Sequence, residues 1–430
     1  MRNLIIGVAK GYGWDILEPF VTSCKMYCPD AELVLFVDDL SDFTRDKLIR
    51  SGVTLEKFPA EVSGIPNNTR WKIFGDYLQA HGDNFVQVFI TDTRDVIFQG
   101  DIFAPFDGLT NWLGFATEAD DIRGTKTGDV MNYKWIHDCF GKAAADKLAD
   151  KKIICSGTVI GSSREMKIFC RELWKILQHK TTNIFDQAAT NYLAWNGLLP
   201  IENIFAIDTN GGEIFTAYMF LRCNSTKIYG DKILRGDDGI PAVVHQYDRH
   251  PKFVELVDKI YRAKNFQSDS RFDDVRSVVE QTACLLYADK VSDAAKIFLK
   301  KFLSPANFNA ATNSLITVWE LAAQKNFTPT VELLELAAQN ALTSAEKFSD
   351  GQILRLHKTF LAAEKNHRAV DTVFKKNFAS HLLKIGEQNL AAGAPISYVA
   401  HCVQLIEALN LEPDENFQRF VAKVNQALRR

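Results

Sequence analysis

FVQVFITDTRDVIFQGDIF, Phe85 to Phe103, decides how this chain folds. Its first part, Phe85 to Thr91, is β-branched and aromatic apart from one glutamine, a pattern that predicts a strand buried on both faces. The chain then turns sharply polar at Asp92, Thr93, Arg94 and Asp95 before the apolar pattern resumes at Val96, Ile97 and Phe98. In an open α/β sheet, ligands gather at the carboxyl ends of the strands, so this carboxylate pair stands where a cation or phosphate would bind. The same residues also allow a plainer reading, in which the aspartates close a turn and Asp95 pairs locally with Arg94.

Working back toward the N-terminus, strand and helix patterns alternate. Strands are predicted over Asn3 to Ala9, Glu32 to Val37 and Val53 to Phe58, with helices over Trp14 to Tyr27, Asp42 to Ser51 and a stretch ending near Ala80. Such alternation predicts a parallel sheet wrapped by helices. Gly7, Gly11 and Gly13 leave room for backbone to approach a ligand, but their spacing is not that of the dinucleotide fingerprint. Asn67 or Asn68 is the expected cap of the third helix, which puts Arg70 in its first turn. A cation there opposes the helix dipole, so Arg70 reads either as a phosphate-binding group or as a surface charge.

Beyond the acidic stretch, Asn111 to Thr117 is an expected strand and Asn132 to Leu148 an expected helix. The next strand, KKIICSGTVIG, carries Ser156 and Gly157 in its middle, and glycine inside a strand marks a bulge or a close approach by another group. Arg164 to Gln178 reads as a helix, and Asp186 and Gln187 stand near the start of another. Finally, apolar Ile240 to Val244 feeds His245, Gln246, Tyr247, Asp248, Arg249 and His250 before Pro251 opens a helix. A histidine at a strand end is commonly structural, although carboxylate metal sites often take one imidazole.

Composition narrows the class. The 430 residues are 47% hydrophobic and 24% charged with a net charge of −3, an ordinary globular balance without the basic footprint of a nucleic-acid binder. No apolar run is long enough to predict a transmembrane helix. MRNLIIGVAKGYGW reads as a strand broken by Gly7 and Lys10, neither a signal nor a transit peptide. The eight cysteines include no CxxC pair, which argues against structural zinc and for small buried hydrophobes in a reducing cytoplasm.

Four segments, in order, resemble the GT-A family of nucleotide-sugar-dependent glycosyltransferases: TDTRDVIFQ its acidic motif, CSGTVIG a donor-side strand, DQAATNYL an acceptor-side helix and VHQYDRHP a C-terminal histidine. The resemblance covers about Asn3 to Asn265. It implies an α/β GT-A domain with a Rossmann-like, mostly parallel sheet, and a sugar transferred from a nucleoside diphosphate to a glycan or other hydroxyl. Asp92, Asp95 and His245 would hold a divalent ion, manganese or magnesium. Gly7, Val8, Ala9, Asp38, Arg70, Asp92, Arg94, Ser156 and Gly157 would contact the donor, with Arg70 on the diphosphate, Asp38 near the nucleoside, and Ser156 and Gly157 along the sugar. Asp186 is the candidate to contact the acceptor or take its proton. The motif departs from the usual DXD in having two residues between its carboxylates, which leaves open whether Arg94 meets the phosphate or orients Asp92.

From about residue 266 the strand signals stop. Helices are expected over Arg271 to Tyr287, Ser292 to Phe302, Asn309 to Gln324, Thr328 to Asn340, Ser344 to Ala363, Arg368 to Gln388, Pro395 to Leu409 and Asp414 to Leu428. The expected organisation is therefore a catalytic domain over 1–265 and an all-α domain over 266–430, a bundle or a repeat without a fixed period. Such a domain would serve as a platform for acceptor glycan, a partner or a second copy, or would only buttress the first. The last helix is amphipathic with two terminal arginines, and reads as a surface helix in preference to one lying on the inner face of a membrane. Two other functions fit the residues: a nucleotidyltransferase, for which only Lys10 hints at a phosphate loop, and a GT-A-like scaffold without activity.

Overall fold

The structure, a computed structural model, describes residues 2–59, 65–180, 183–224, 227–262, 372–391, 396–407, 409 and 411–428. The chain divides into two compact units, Met1–Phe272 and Asp273–Arg430.

In the first unit a seven-stranded sheet is built from β1 (Arg2–Ala9), β2 (Glu32–Val37), β3 (Val53–Lys57), β4 (Phe85–Thr91), β6 (Trp112–Asp121), β7 (Lys152–Ser162) and β8 (Asn203–Ile207), in the order β3-β2-β1-β4-β7-β6-β8. Strand β7 runs antiparallel to both neighbours, and every other pairing is parallel. This is the mixed α/β architecture with a mostly parallel sheet that the alternating pattern predicts. A three-stranded sheet, β5 (Val96–Phe98), β12 (Val243–His245) and β9 (Ile214–Thr216), packs on one face, and β10 (Lys227–Tyr229) with β11 (Lys232–Leu234) forms a hairpin.

The strands are apolar on both faces because both faces are covered. Side chains alternate along a strand, so Leu4 and Ile6 enter one core while Ile5 enters the other. On the first face α3 (Pro66–His81), α4 (Met131–Phe140), α5 (Lys142–Leu148), α6 (Ser163–Leu177) and α7 (Asp186–Trp195) contribute Trp71, Phe74, Ile136, Leu148, Phe169 and Leu193. On the second, α1 (Trp14–Tyr27) and α2 (Asp42–Arg50) contribute Leu17, Phe20 and Leu48, and the small sheet adds Val96, Phe98, Ile214 and Val243. Two further helices are α8 (Ala217–Cys223) and α9 (Pro251–Tyr261).

Three local expectations change. The helix expected over Asn132 to Leu148 is two, because Gly141 takes φ 87°, a left-handed conformation that ends one helix and turns the chain into the next. The strand expected to end at Thr117 continues to Asp121. Neither Asn67 nor Asn68 caps α3, which starts at Pro66, with Ile65 as its cap residue. Proline already has the fixed φ of a first helical residue, and Asn68 is buried elsewhere.

In the second unit, the described residues form α10 (Thr372–Ala391), α11 (Ile396–Glu407) and α12 (Glu415–Leu428). The helices expected between Arg271 and Ala363 lie outside the described residues. Phe420 and Val424 of α12 are buried, and Phe420 lies so close to Gly386 that any side chain at that position would strike its ring. Two residues of the apolar face of α12 are thus buried within this unit. No described helix is long and apolar enough to cross a membrane.

Candidate functional site

Parallel β1, β2, β4 and β6 end at one edge of the sheet, and antiparallel β7 brings its middle to that edge, with Thr158 opposite Thr91. The acidic loop therefore starts beside Ser156 and Gly157. Asp92 N–H donates to the Gly157 carbonyl at 2.8 Å, and Thr93 Oγ1 donates to the Val8 carbonyl at 2.8 Å. Two glycines make this packing fit. A Cβ on Gly7 would stand 2.4 Å from the Thr93 methyl, and one on Gly157 would stand 2.5 Å from His245 Cε1 and 2.6 Å from Asp92 Oδ2. Gly7 thus makes room for Thr93, and Gly157 makes room for the residues discussed next.

Asp92, Asp95 and His245 each offer a ligand atom, and the three atoms lie within 4.8 Å of one another. His245 Nε2 is 3.4 Å from Asp92 Oδ2 and 3.7 Å from Asp95 Oδ1. The ring is buried, its Nδ1 lies 3.5 Å from Cys155 Sγ, and Nε2 has no hydrogen-bond partner among the described residues. A buried imidazole nitrogen aimed between two carboxylate oxygens is the arrangement a divalent cation would complete, and an O,O,N donor set suits manganese or magnesium. Burial alone disfavours charge on His245, but the Cys155 sulfur and the Asp92 carboxylate outweigh it and hold the imidazole pKa well above its ordinary value.

Arg70 is 7% exposed, which excludes the surface-charge reading. Its guanidinium bridges Asp92 Oδ1 and Asp186 Oδ2, the latter at 2.7 Å. Burial would raise the Asp92 pKa, but Arg70 and, after it, His245 hold it far below the carboxylate range. Both Asp186 oxygens are engaged: Ser156 Oγ donates to Oδ2 at 3.1 Å, and Gln187 N–H donates to Oδ1 at 2.9 Å. In this geometry Asp186 anchors Arg70. Gln187 in turn accepts from Ser156 N–H and donates to Glu118 Oε1 at 3.1 Å. The buried Asn68 side chain donates to the carbonyls of Lys180 and Asn183 and accepts from Phe185 N–H, which fixes the entry to α7 and hence Asp186.

The Arg94 guanidinium lies 3.2 Å from Asp248 Oδ2 and 3.5 Å from Asp95 Oδ2. Asp38 Oδ1 accepts from Gly11 N–H at 2.9 Å, tying the β1–α1 turn to the end of β2. A cavity of about 310 Å³ opens beside that turn, lined by Gly11, Tyr12, Gly13, Asp39, Leu40, Ser41 and Thr44. Val8 is half-buried, whereas the Ala9 side chain is in the core. The sequence reading missed Thr93, Asn68 and Cys155. Thr93 and Cys155 stood in quoted motifs, but the partners of all three are remote in the chain.

No protein-family model matches the chain, and neither does any curated protein. Among solved structures the chain is similar to glucosyl-3-phosphoglycerate synthase from Mycobacterium tuberculosis in complex with Mn2+, uridine diphosphate and glucosyl-3-phosphoglycerate. That match has 14% identity and a TM-score of 0.31, and covers 48% of this chain and 69% of that one. It is also similar to the apo-form glycosyltransferase GlyE of Streptococcus pneumoniae TIGR4, at 12% identity and a TM-score of 0.34, over 57% of this chain and 54% of that one. At such values neither likeness bears on which residues act in this chain.

Proposed function

We propose that the first unit is a GT-A-type glycosyltransferase that takes its sugar from a nucleoside diphosphate with the help of a divalent metal ion. The observation that carries this reading is the convergence of Asp92, Asp95 and His245 at the carboxyl end of β4. Charge supports it. Around the acidic loop the carboxylates of Asp92, Asp95, Asp186 and Asp248 face the guanidinium groups of Arg70, Arg94 and Arg249, so a divalent cation leaves positive charge in excess. A diphosphate would neutralise that excess, and metal and nucleotide are therefore expected to bind together.

Breaking the bond from sugar to diphosphate builds negative charge on the leaving phosphate, and a bound divalent ion would supply Lewis-acid stabilisation there. Asp92, Asp95 and His245 are its ligands. Arg70 adds a fixed positive charge that needs no rearrangement, because Asp186 and Asp92 already hold it in place. The cavity by Gly11 and Asp39 takes the nucleoside, and the Ser156–Gly157 segment borders the donor sugar, which goes to a hydroxyl of a glycan or related acceptor. Buried thiols at Cys24, Cys28, Cys139, Cys155 and Cys170 suit a cytoplasmic setting.

The test is thermal stability against a panel of nucleoside diphosphates, each with and without Mn2+, on the wild type and on Asp95→Ala. At about a hundred times its dissociation constant a ligand adds about 2.7 kcal/mol, a readily measured shift in Tm. The expected outcome is one base that stabilises only with metal, an effect absent in Asp95→Ala. A wild type indifferent to every nucleotide with metal present removes this reading.

A further inference from the structure

Each of the three candidate ligands has one atom turned toward the others and a second atom held from behind. Asp92 turns Oδ2 to His245 while Oδ1 is held by Arg70. His245 presents Nε2 while Nδ1 faces Cys155. Asp95 turns Oδ1 inward, 3.7 Å from His245 Nε2, and its Oδ2 lies 3.3 Å from an Arg249 nitrogen and 3.5 Å from an Arg94 nitrogen. The other terminal nitrogens of both arginines meet Asp248, with Arg94 3.2 Å from Oδ2 and Arg249 on Oδ1. Asp95, Arg94, Asp248 and Arg249 thus form a closed ring of ion pairs, each aspartate shared by both arginines, with all four side chains between 6% and 12% exposed.

Backbone contacts fix the ring. Strand β12 pairs antiparallel with β5, with His245 opposite Val96, and Gln246 N–H donates to the Asp95 carbonyl at 2.7 Å. Gln246 has φ 62°, a left-handed turn that folds Tyr247–Arg249 back over the acidic loop. Each of the two segments therefore brings a metal-ligand candidate and a brace: Asp95 with Arg94, and His245 with Asp248 and Arg249. The extra spacing of the acidic motif acquires a reason, since Thr93 anchors the loop to β1 and Arg94 turns into the ring.

We propose that Arg249, together with Arg94, is a positioning residue for the metal site: it fixes the rotamer of Asp95 so that one oxygen remains available to the cation. The proposal rests on the metal-dependent reading above. Arginine is required for geometry as well as charge, because its planar fork spans two carboxylates at once, which an ammonium on a flexible stem does not. Groups that orient metal ligands typically change affinity 10- to 100-fold when replaced.

The experiment is Mn2+ titration of the full chain followed by electron paramagnetic resonance, on the wild type, Asp95→Asn and Arg249→Lys, with near-UV circular dichroism to verify folding. Lysine keeps the charge and loses the fork, so Arg249→Lys is expected to bind Mn2+ at least 10-fold more weakly while remaining folded. Unchanged or tighter binding overturns the proposal and leaves the metal site standing. A wild type that binds no Mn2+, even with nucleotide present, overturns both, and so separates the two failures. Should Arg249→Lys not fold, a crystal structure of the wild type with Mn2+ decides: Asp95 Oδ2 is expected to keep both guanidinium contacts, and a guanidinium swung off Asp95 refutes the proposal.

Discussion

Among single residues, Glu118 carries the clearest consequence of burial. It is 3% exposed on β6, and its carboxyl is pushed up to about 7 by burial, only partly offset by the hydrogen bond from Gln187. An acid whose pKa is raised by folding binds more protons in the native state than in the unfolded one at intermediate pH. Its contribution is complete below the ordinary value of 4.5 and is lost as pH climbs through about 7, a difference of about 3 kcal/mol. Glu118→Gln keeps an oxygen to accept from Gln187 and removes the titration. Melting temperatures of wild type and variant, measured with a chelator at pH 5 and pH 8, should show the wild type losing stability relative to the variant at the higher pH. Parallel pH profiles would mean that Glu118 stays ionised in the native protein. Nothing in the local sequence TEADD marks this residue, because its pKa depends on Gln187 and on the depth of β6 in the sheet, neither of which lies nearby in the chain.

Among elements, the contact between α3 and the entry to α7 decides where Asp186 stands. Asn68 is 2% exposed and makes three hydrogen bonds there, two donated by its amide and one accepted by its oxygen. Removing them leaves two carbonyls and one N–H short of partners, at about 1 kcal/mol or more each. Asn68→Ala is therefore expected to lose about 2–4 kcal/mol in urea denaturation, visible as a lower midpoint at unchanged slope. A loss under about 0.5 kcal/mol, the level of an ordinary surface change, would show that the loop is held otherwise. The sequence offered Asn68 as a helix cap, a sound expectation for asparagine at that place, but Pro66 had already started the helix two residues earlier. Strand positions were more legible than such ties. The runs at Leu4, Val34 and Val88 are apolar on both faces because both faces are covered, and that alone fixes strand and layer. Gly141 shows the converse: a helical pattern on either side of it concealed a break that depends on a single backbone angle.

For the molecule as a whole, the legible part of the site was the part that follows or interrupts apolar runs. Asp92 and Asp95 follow the apolar run of β4, whose carboxyl end parallel topology carries to the ligand edge, whereas Ser156 and Gly157 interrupt antiparallel β7 and His245 ends β12 of the small sheet. The ring that braces them could not be read, since Arg94 and Asp248 are 154 residues apart and only the β5–β12 pairing brings them together. All these groups, and both hydrophobic cores of the sheet, belong to residues 4–249, inside the first compact unit. A unit with its own cores folds by itself as a rule. Residues 1–272 made alone should then bind Mn2+ and the stabilising nucleoside diphosphate within about threefold of the full chain, a difference of under about 1 kcal/mol in calorimetric titration. If that piece is folded by circular dichroism but binds the nucleotide more than about tenfold more weakly, then the second unit supplies part of the binding energy, about 1.4 kcal/mol or more. Its residues would then belong in the account of the site.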